Sequence, residues 1–216
     1  MKIMPKTKMQ WIRFGILCLI TLIIFIVGYV IPFFGYISYE PENGDIIFQP
    51  LRRNELVRAI EGVTGSPYSH CGVVLKHNNN WVVIQALGKV KYTPLYFWIL
   101  QGRYGKFTVY RLKSKYSKTI PNFITELKKF IDMPYDFKYT MDDGELYCSE
   151  LIYKGFKNAT GEEMGQLVTL GDLNWKPYKN FIESIAGEVS PLKRVLITPK
   201  HLSEAEQLVK IFSFGL

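Results

Sequence analysis

The sequence is poor in cysteine. Its 216 residues contain three, Cys18, Cys71 and Cys148. A single pair among them is no disulfide framework, so the domain has to be held together by a hydrophobic core. Cys18 follows Ile16 and Leu17 in an apolar run, whereas a lipoprotein cysteine would need small residues before it. We expect Cys18 to be a small apolar side chain in lipid.

No motif predicts a bound nucleotide, metal or cofactor. The chain lacks a phosphate-binding glycine loop and a Gly-x-Ser-x-Gly turn around a nucleophilic serine. Its histidines, His70, His77 and His201, lack the i, i+4 or Cys-pair spacing of a zinc site. We therefore assign no metal and no cofactor. The sequence also contains no internal repeats and no low-complexity stretches.

The positive charge of the chain is concentrated at one end. The formal net charge is +8, and half of it lies in an N-terminal segment without acidic residues, at Lys2, Lys6, Lys8 and Arg13. The remaining excess is too small to predict polynucleotide binding, and no zinc-finger or RNA-recognition signature accompanies it. We expect no nucleic acid partner. A solvated, slightly basic surface explains this charge and would also suit an anionic cell envelope.

One long stretch without charge, between Arg13 and Glu40, predicts a membrane-spanning helix. Residues 14–31 are almost all apolar, close to the roughly 20 residues that cross a bilayer. Pro32 is expected to end the helix. Nearby aromatic residues are typical of an interfacial belt: Phe33, Phe34, Tyr36 and Tyr39. We assign residues 14–34 to a transmembrane anchor.

The basic flank precedes this helix, which predicts a single-pass protein with residues 1–13 in the cytoplasm and the folded domain outside. A linker over residues 35–43 would join the anchor to a domain over residues 44–216. A cleaved signal peptide is the main alternative, but it needs a shorter apolar core and an Ala-x-Ala-like site, which residues 28–40 lack. A buried core helix of a soluble protein is a more distant alternative.

Beyond the anchor, short strand and helix patterns predict one α+β domain with a small, mostly antiparallel sheet. Apolar runs predict strands over residues 45–49, 70–75, 81–87, 89–93, 106–112 and 193–198. Helical spacing predicts helices over residues 54–60, 94–100, 120–131, 147–159, 178–186 and 199–212. A run of asparagines marks the turn between the second and third strands.

Cys148 begins a helical pattern that continues with Leu151, Ile152 and Phe156. A thiol in the first turn of a helix faces unpaired N–H groups and the positive end of the helix dipole, which favour thiolate over thiol. The same N–H groups can bind the oxyanion of a tetrahedral intermediate. A nucleophile is one interpretation of Cys148, and a buried structural cysteine is the other.

His70 begins the apolar run of a strand and is the candidate base. At a strand end its imidazole could exchange a proton with Cys148, although a strand histidine is often only a hydrogen-bonded polar residue. If the strands over 70–75 and 81–87 form a hairpin in which facing residues sum to about 155, Gln85 lies opposite His70 and can orient its ring. Cys71 should point to the other face, into the core.

Five short segments carry a family resemblance: Gly44–Phe48, Ser69–Val74, Val83–Ala86, Pro134–Asp136 and Tyr147–Leu151. In this order they resemble the circularly permuted papain-like amidases, the YaeF/YiiX branch of the NlpC-type superfamily. The resemblance spans roughly residues 43–202 and implies a permuted papain-like domain. It implies Cys148 as nucleophile, His70 as base, and Tyr135 beside the site as a contributor to oxyanion binding. Gln85 falls where the family often carries a glutamate.

The pair Cys148 and His70 leads to three hypotheses. The first is a membrane-anchored cysteine amidase or peptidase that cleaves an amide bond in a cell-envelope substrate. The second is a lipid acyltransferase or esterase at the bilayer surface, suggested by the anchor and the aromatic segment Tyr92–Trp98. The third is a catalytically silent binding domain, suggested by Gln85 in place of an acid. The sequence leaves the substrate and the oligomeric state open.

Overall fold

The computed structural model describes residues 6–187 and 191–216, with side chains described from residue 9 onward. Residues 1–5, which belong to the predicted cytoplasmic segment, and residues 188–190 lie outside the described residues. The helices are α1 Lys6–Phe25, α2 Ile31–Ser38, α3 Glu55–Thr64, α4 Leu95–Gln101, α5 Ile120–Lys128, α6 Cys148–Thr160, α7 Lys179–Ala186 and α8 Pro199–Ser203. The strands are β1 Ile46–Gln49, β2 His70–His77, β3 Asn80–Leu87, β4 Lys89–Pro94, β5 Phe107–Leu112, β6 Val168–Thr169, β7 Val195–Leu196 and β8 Leu208–Phe214.

Six strands form one antiparallel sheet in the order β4-β3-β2-β1-β5-β8. The short strands β6 and β7 pair separately. The prediction of an α+β fold with an antiparallel sheet and packed helices is confirmed. The two faces of the large sheet are named here by the helix that covers each of them, the α6 face and the α4 face.

The α6 face carries the larger hydrophobic core. Strand residues such as Val73 and Ile84 are fully buried there, together with Phe156 of α6. Helix α5 lies close against α6 at Gly155, where an added Cβ would sit 2.6 Å from Cδ2 of Leu127. The missing side chain lets the two helices approach, and this contact holds α6 across the sheet.

The α4 face has a smaller core. Ile47, Val74 and Val83 of the central strands pack there against Trp98 and Ile99 of α4. Because successive strand residues point to opposite faces, each central strand is buried on both sides and contributes to both cores. This explains why β1, β2 and β3 are seen in the sequence as nearly continuous apolar runs.

The N-terminal helix does not end where the sequence predicts. Helices α1 and α2 are joined without interruption by a π-helical turn over Ile26–Val30, in which the N–H of Ile31 bonds to the carbonyl of Ile26. The prediction that Pro32 ends the helix is therefore wrong. Proline lacks an N–H and its ring crowds the carbonyl four residues back, and the wider π turn just before it relieves this crowding. Residues 35–38 of the predicted linker are helical as a result.

Helix α2 packs directly on the domain. An added Cβ at Gly35 would lie 2.7 Å from Cδ1 of Phe214, so the helix lies against β8. The ring of Tyr96 lies 6.0 Å from that of Phe33 and 5.4 Å from that of Tyr36, measured between centroids. Helix α1, in contrast, leaves its apolar side chains exposed. By length and composition, Met9–Ser38 could cross a membrane, since its most apolar stretch has a mean hydropathy of 2.9 and is unburied.

The C-terminal segment also departs from its prediction. The amphipathic helix expected over residues 199–212 is instead a five-residue helix, Pro199–Ser203, followed by β8. Val209, Ile211 and Phe212 favour a strand, and the open edge of β5 supplies the hydrogen-bonding partner. The strand expected over residues 193–198 is reduced to Val195–Leu196.

Candidate active site

Cys148 is the first residue of α6, and the first turn of that helix is fixed by hydrogen bonds on two sides. The N–H of Tyr147 donates to Oε2 of Glu150 at 3.3 Å, within the same turn. The hydroxyl of Ser149 donates to the carbonyl of Ile197 at 2.8 Å, and the N–H of Ile197 donates to the hydroxyl of Tyr147 at 3.0 Å. These bonds hold the backbone around Cys148 against the segment that leads into α8.

The thiol of Cys148 lies in surroundings that favour its ionised form. Its pKa lies well below the usual value, chiefly because the side chain of Cys71 hydrogen-bonds to it and because His70 lies beside it. These contacts outweigh burial, which acts in the opposite direction on a thiol that is 2% exposed. The pKa of Cys71 lies well above its usual value, because burial and the neighbouring Cys148 both disfavour a second thiolate.

The imidazole of His70 is held by a chain of side chains on the α4 face. Its Nε2 lies 2.5 Å from Oε1 of Gln85. The amide nitrogen of Gln85 donates to Oγ1 of Thr93 at 2.7 Å and faces Oε1 of Gln101 at 3.4 Å. With its nitrogen engaged as a donor, Gln85 presents its oxygen to the ring, so Nε2 of His70 carries the proton. Nδ1 is then the nitrogen that keeps a lone pair.

The indole of Trp98 covers the other side of this ring. The two rings are stacked with centroids 5.9 Å apart and an angle of 28° between their planes. Trp98 is fully buried, and His70 is 1% exposed. The orientation of the imidazole is therefore set by a hydrogen bond at one end and by packing over its face.

The hairpin that brings His70 and Gln85 together is shifted from the predicted register. Val73 pairs with Ile84, which places Gly72 opposite Gln85, so the prediction that His70 is directly opposite is wrong by two residues. A shift of two keeps every side chain on its predicted face. Gln85 reaches His70 diagonally. A Cβ at Gly72 would lie 2.4 Å from Cγ1 of Val83, so the position between them has no room for a side chain.

Cys71 lies where the alternation of strand residues predicts, on the face opposite to His70 and fully buried in the core. Cys148 packs on this same face, a contact that no sequence pattern predicts. Two neighbouring residues of β2 thus approach the same thiol, His70 by its ring and Cys71 by its own thiol.

Tyr135 lies near the two thiols of Cys71 and Cys148. Its side chain is 8% exposed, and its hydroxyl lies 3.0 Å from that of Tyr139. Burial is the main reason why the pKa of Tyr135 is raised, and Cys148 contributes to the increase. Within the two-hydroxyl pair one O–H donates to the other, which leaves the second proton free to bind another acceptor.

Tyr139 was missed by the sequence analysis. It is held in a left-handed backbone conformation with φ of 55°. The buried carboxylate of Asp136 stabilises this loop by accepting bonds from three backbone N–H groups, those of Lys138 at 2.7 Å, Tyr139 at 3.0 Å and Thr140 at 2.5 Å. An aspartate followed by such a turn is a recognisable loop signal, but it does not tell which ring will face Cys148.

A partly open cleft lies at Cys148 and Tyr139. It runs between α3, α7 and the segment that precedes α8. Its lining is almost entirely apolar and includes Leu56, Ile60, Val63, Leu170, Leu173, Phe181, Ile182, Ile185 and Leu196. Lys138 and Arg194 also line it, and the guanidinium of Arg194 donates to the carbonyl of Lys138. The site therefore joins a polar reacting centre to an apolar cleft.

Comparison with known proteins decides the family. The model of the permuted papain-like amidase enzymes, YaeF/YiiX, C92 family, matches residues 40–212. The chain belongs to this family. The protein YiiX of Escherichia coli (strain K12) is 33% identical over 177 residues, which cover 81% of this chain and 87% of YiiX.

The permuted papain-like amidase fold is also seen in a solved structure. A crystal structure described as metalloprotein yiiX from Escherichia coli O157:H7 superposes with a TM-score of 0.76 at 32% identity, covering 81% of this chain and 98% of that one. Membership of the amidase family assigns this chain to the hydrolases.

The description of that relative as a metalloprotein raises the question of a metal in this chain. Within residues 6–187 and 191–216, no group of three or more His, Cys, Asp or Glu side chains is arranged to hold a metal ion. Structural and catalytic zinc sites use at least three such ligands. The described residues do not fit a metal site of that kind, and no step of the chemistry below uses one.

Proposed function

We propose that this protein is a membrane-anchored cysteine amidase that cleaves an amide bond in a cell-envelope substrate. One observation carries the proposal. The thiol of Cys148, at the start of α6, has a lowered pKa and lies beside His70, whose Nε2 is bonded to Gln85. A thiolate next to an oriented imidazole is the arrangement that activates cysteine for attack on a carbonyl.

In the proposed reaction, Nδ1 of His70 takes the proton from Cys148. Sγ attacks the amide carbonyl carbon, and the carbonyl oxygen becomes an oxyanion. The imidazolium then gives its proton to the amide nitrogen, the C–N bond breaks, and the amine leaves a thioester on Cys148. Water, deprotonated by the same imidazole, attacks the thioester carbon and the C–S bond breaks. The carboxylic acid is released, and the imidazolium returns its proton to Sγ of Cys148.

The oxyanion needs donors close to Sγ. The backbone N–H of Cys148 lies in the first turn of α6, where N–H groups have no partner within the helix. The free hydroxyl proton of the Tyr135 and Tyr139 pair is a second candidate donor. Both belong to fixed parts of the structure, and donors that do not have to reorganise contribute most to oxyanion stabilisation.

Gln85 is proposed to hold the imidazole of His70 in the correct tautomer. Its amide oxygen is neutral, so it stabilises the imidazolium less than a carboxylate would. The lowered pKa of Cys148 argues against the alternative of a catalytically silent binding domain, because an inert buried thiol would have a raised pKa.

The cleft favours a particular kind of envelope substrate. Its apolar lining and its opening at Cys148 suit an acyl group with a hydrocarbon chain. A lipid acyltransferase or esterase at the bilayer surface is therefore the second candidate function. Both share the thioester on Cys148. The acyltransferase differs from the amidase in its acceptor, an alcohol or amine of another lipid in place of water, whereas the esterase keeps water and differs in cleaving an ester bond.

The N-terminal helix is proposed to anchor the enzyme in the membrane. The exposed apolar surface of Met9–Phe25 supports this assignment. The basic residues before it support an N-terminus in the cytoplasm and a catalytic domain outside. Because α2 packs on the domain, the cleft would be held at a fixed height above the bilayer.

The proposal is tested by the pH dependence of iodoacetamide labelling of the full-length chain in detergent. A Cys18→Ala background removes the exposed cysteine of α1. We expect rapid labelling of Cys148 near pH 6, and we expect it to be lost in His70→Ala. Labelling that rises only near about pH 8.5, the value of an ordinary thiol, would overturn the proposed mechanism.

A substrate screen then separates the two candidate functions. Long-chain N-acyl amides, phospholipid esters and short envelope peptides are compared with the wild type and with Cys148→Ala. Hydrolysis of acyl amides supports the amidase, whereas transfer of an acyl group from a phospholipid to an added alcohol supports the acyltransferase. Cleavage of short peptides alone would contradict the role given to the apolar cleft.

A further inference from the structure

A second groove lies far from Cys148, between the apolar N-terminal helix and the part of the domain that follows α4. Ile23, Val27 and Gly28 of the helix form one side of it. Arg52, Arg53 and Tyr104 of the domain line the other side. The groove is open to its surroundings.

Its position along the helix coincides with the expected edge of the bilayer. The domain contacts the helix at Tyr29 and Pro32, so the hydrocarbon core would lie closer to the N-terminus than the predicted anchor over residues 14–34. The helix from Met9 to Gly28 is about 30 Å long, which is the thickness of the hydrocarbon core, and the long side chain of Arg13 would extend to the interface. Exposed aromatic side chains lie on the domain side of this level. Phe97 is 61% exposed and Tyr104 is 62% exposed, and the hydroxyl of the adjacent Tyr96 donates to the carbonyl of Tyr29. Such aromatic rings are typical of the membrane–water interface.

The groove has a fixed shape. At Gly105, φ is +63°, and an added Cβ would lie 2.5 Å from Cβ of Pro32. The backbone after α4 therefore packs directly on the helix just above the groove. The N–H of Arg103 donates to the carbonyl of Pro50 at 2.7 Å, which joins the segment carrying Arg52 and Arg53 to the same wall.

The charge in the groove is positive and largely uncompensated. Arg103 is paired with Glu61, at 3.1 Å between Nη2 and Oε1. The side chains of Arg52 and Arg53 are exposed, and within the described residues neither forms an ion pair or a hydrogen bond. No acidic side chain of the described residues lines the groove. Two guanidinium groups without an ion-pair partner in the described part of the chain thus line the groove opposite the apolar helix.

We propose that this groove binds an anionic phospholipid of the leaflet on the domain side. The phosphate lies between Arg52 and Arg53, and an acyl chain lies along Ile23, Val27 and Gly28. Guanidinium groups bind phosphate through charge-assisted hydrogen bonds, and each basic residue near a membrane surface strengthens binding of anionic lipid. A soluble anion would use the arginines and leave the apolar wall uncovered. The inference depends on the proposed membrane insertion and is independent of the chemistry at Cys148.

The test uses the full-length chain in bilayer nanodiscs of phosphatidylcholine with or without phosphatidylglycerol. Native mass spectrometry after release from the discs counts the lipids that stay bound. We expect one phosphatidylglycerol to be retained, with a roughly thirtyfold preference that Arg52→Gln/Arg53→Gln abolishes. Arg58→Gln/Lys128→Gln makes the same change of charge at exposed positions away from the groove and should keep the preference.

Two glycines of the helix provide a matched pair for the apolar wall. An added Cβ at Gly28 or at Gly15 meets nothing within 4 Å, so both positions accept a larger side chain. We expect Gly28→Leu to fill the groove and reduce retention at least tenfold, and Gly15→Leu to retain lipid like the wild type. Equal retention by Gly28→Leu and Gly15→Leu would overturn the proposed path of the acyl chain.

Two further measurements distinguish the lipid site from a site for small anions and from the membrane anchor itself. Displacement of the lipid by millimolar inorganic phosphate would show a site for small anions and overturn the lipid proposal. An alkaline wash of membranes checks insertion itself. If the wild type resists the wash and shows no preference for phosphatidylglycerol, the lipid site is wrong while the membrane anchor stands. If the wash removes the wild type, the proposed anchor fails, and the lipid site fails with it.

Discussion

The two faces of the large sheet contribute to the candidate site in different ways. On the α6 face, Cys148 lies in a nearly continuous apolar core, at the start of a helix whose first turn is held by hydrogen bonds to backbone groups. On the α4 face, His70 lies in a buried polar chain that runs through Gln85 to Thr93. The nucleophile is thus positioned by the backbone of a helix packed in an apolar core, and the base by a chain of polar side chains and the stacked Trp98. Changes on the two faces should therefore have different consequences for stability and for activity.

The largest effect is expected on the α6 face, from the two thiols. Cys148→Ala should abolish turnover, a loss of at least about 10³-fold, because no other group can form the thioester. Its fold should be unchanged, since only one buried sulfur atom is removed and Cβ stays in place. Hydrolysis of the best substrate from the acyl-amide screen, with circular dichroism of the same samples, measures both.

Cys71→Ala is the matched control for this change. It removes a thiol from the same core but leaves the nucleophile in place. We expect turnover to persist and the pKa of Cys148 to rise, because the hydrogen bond from Cys71 that stabilises the thiolate is lost. Labelling of Cys148 by iodoacetamide should then begin at higher pH than in the wild type. An unchanged pH profile would contradict the part given to Cys71.

The same contrast explains what the sequence could predict. Buried apolar side chains recur with the spacing of the helix or strand that carries them, so apolar patterns predict the positions of β2, β3 and α6. The start of α6 at Cys148 is predicted by the same pattern. Gln85 was found because strand alternation assigns faces. The strand register predicted for Gln85 is wrong by two residues, but an even shift leaves each side chain on its face, so Gln85 still lies on the same face as His70.

Features that depend on a distant partner could not be predicted. Residues 208–214 become a strand because the edge of β5 is free to pair with them, and nothing local records that edge. The helix continues through Pro32 because a π turn precedes it, which hydropathy does not reveal. Tyr139 faces Cys148 because the carboxylate of Asp136 folds the loop between them. Each of these outcomes is set by tertiary structure.

The next largest effect is expected on the α4 face, at Gln85. Gln85→Leu removes the acceptor for Nε2 of His70 and leaves the hydroxyl of Thr93 without its donor. We expect kcat to fall about 10- to 100-fold, as found when a group that orients a reactive side chain is removed. The free energy of unfolding should fall by about 1–3 kcal/mol, because buried polar groups lose their partners.

Gln85→Glu tests the same contact with a charged acceptor. A carboxylate would stabilise the imidazolium form of His70, so the acidic limb of the pH–rate profile should move to higher pH while activity is retained. Thr93 and Gln101 can each turn to donate to the new oxygen. If Gln85→Leu and Gln85→Glu were equally active with the same pH profile as the wild type, the orienting role of Gln85 would be excluded.

A smaller effect, on stability alone, is expected on the α6 face from Glu150. Burial raises the pKa of this carboxyl to about 7, although Lys154 lies 3.0 Å away. The folded state therefore favours the protonated form, and this contribution to stability is lost as pH rises from about 4.5 to about 7.

Glu150→Gln keeps an oxygen for the N–H of Tyr147 and cannot ionise. We expect it to gain stability over the wild type as pH rises, by at most about 3 kcal/mol at pH 8, with no gain at pH 4. Thermal unfolding of both proteins between pH 4 and 8 measures the difference. A constant difference across this range would show that Glu150 does not titrate there.

The smallest effect is expected from removing one threonine hydroxyl on each face of the sheet. Thr93→Val on the α4 face removes the hydroxyl that binds Gln85 at 2.7 Å. Thr108→Val on the α6 face removes a hydroxyl that lies 3.1 Å from Oγ of Ser213, away from the site. Each change should cost about 1 kcal/mol of stability, the usual contribution of one hydrogen bond.

Activity should distinguish these two variants although stability does not. Thr93→Val leaves Gln101 as the remaining partner of the Gln85 nitrogen, so the amide is held less firmly and kcat should fall by about two- to tenfold. Thr108→Val should keep the wild-type kcat. Measured unfolding temperatures and kcat values for both variants decide the question. Equal kcat values would mean that the polar chain on the α4 face supports only the fold, and the base would then be positioned by the packing of Trp98 alone.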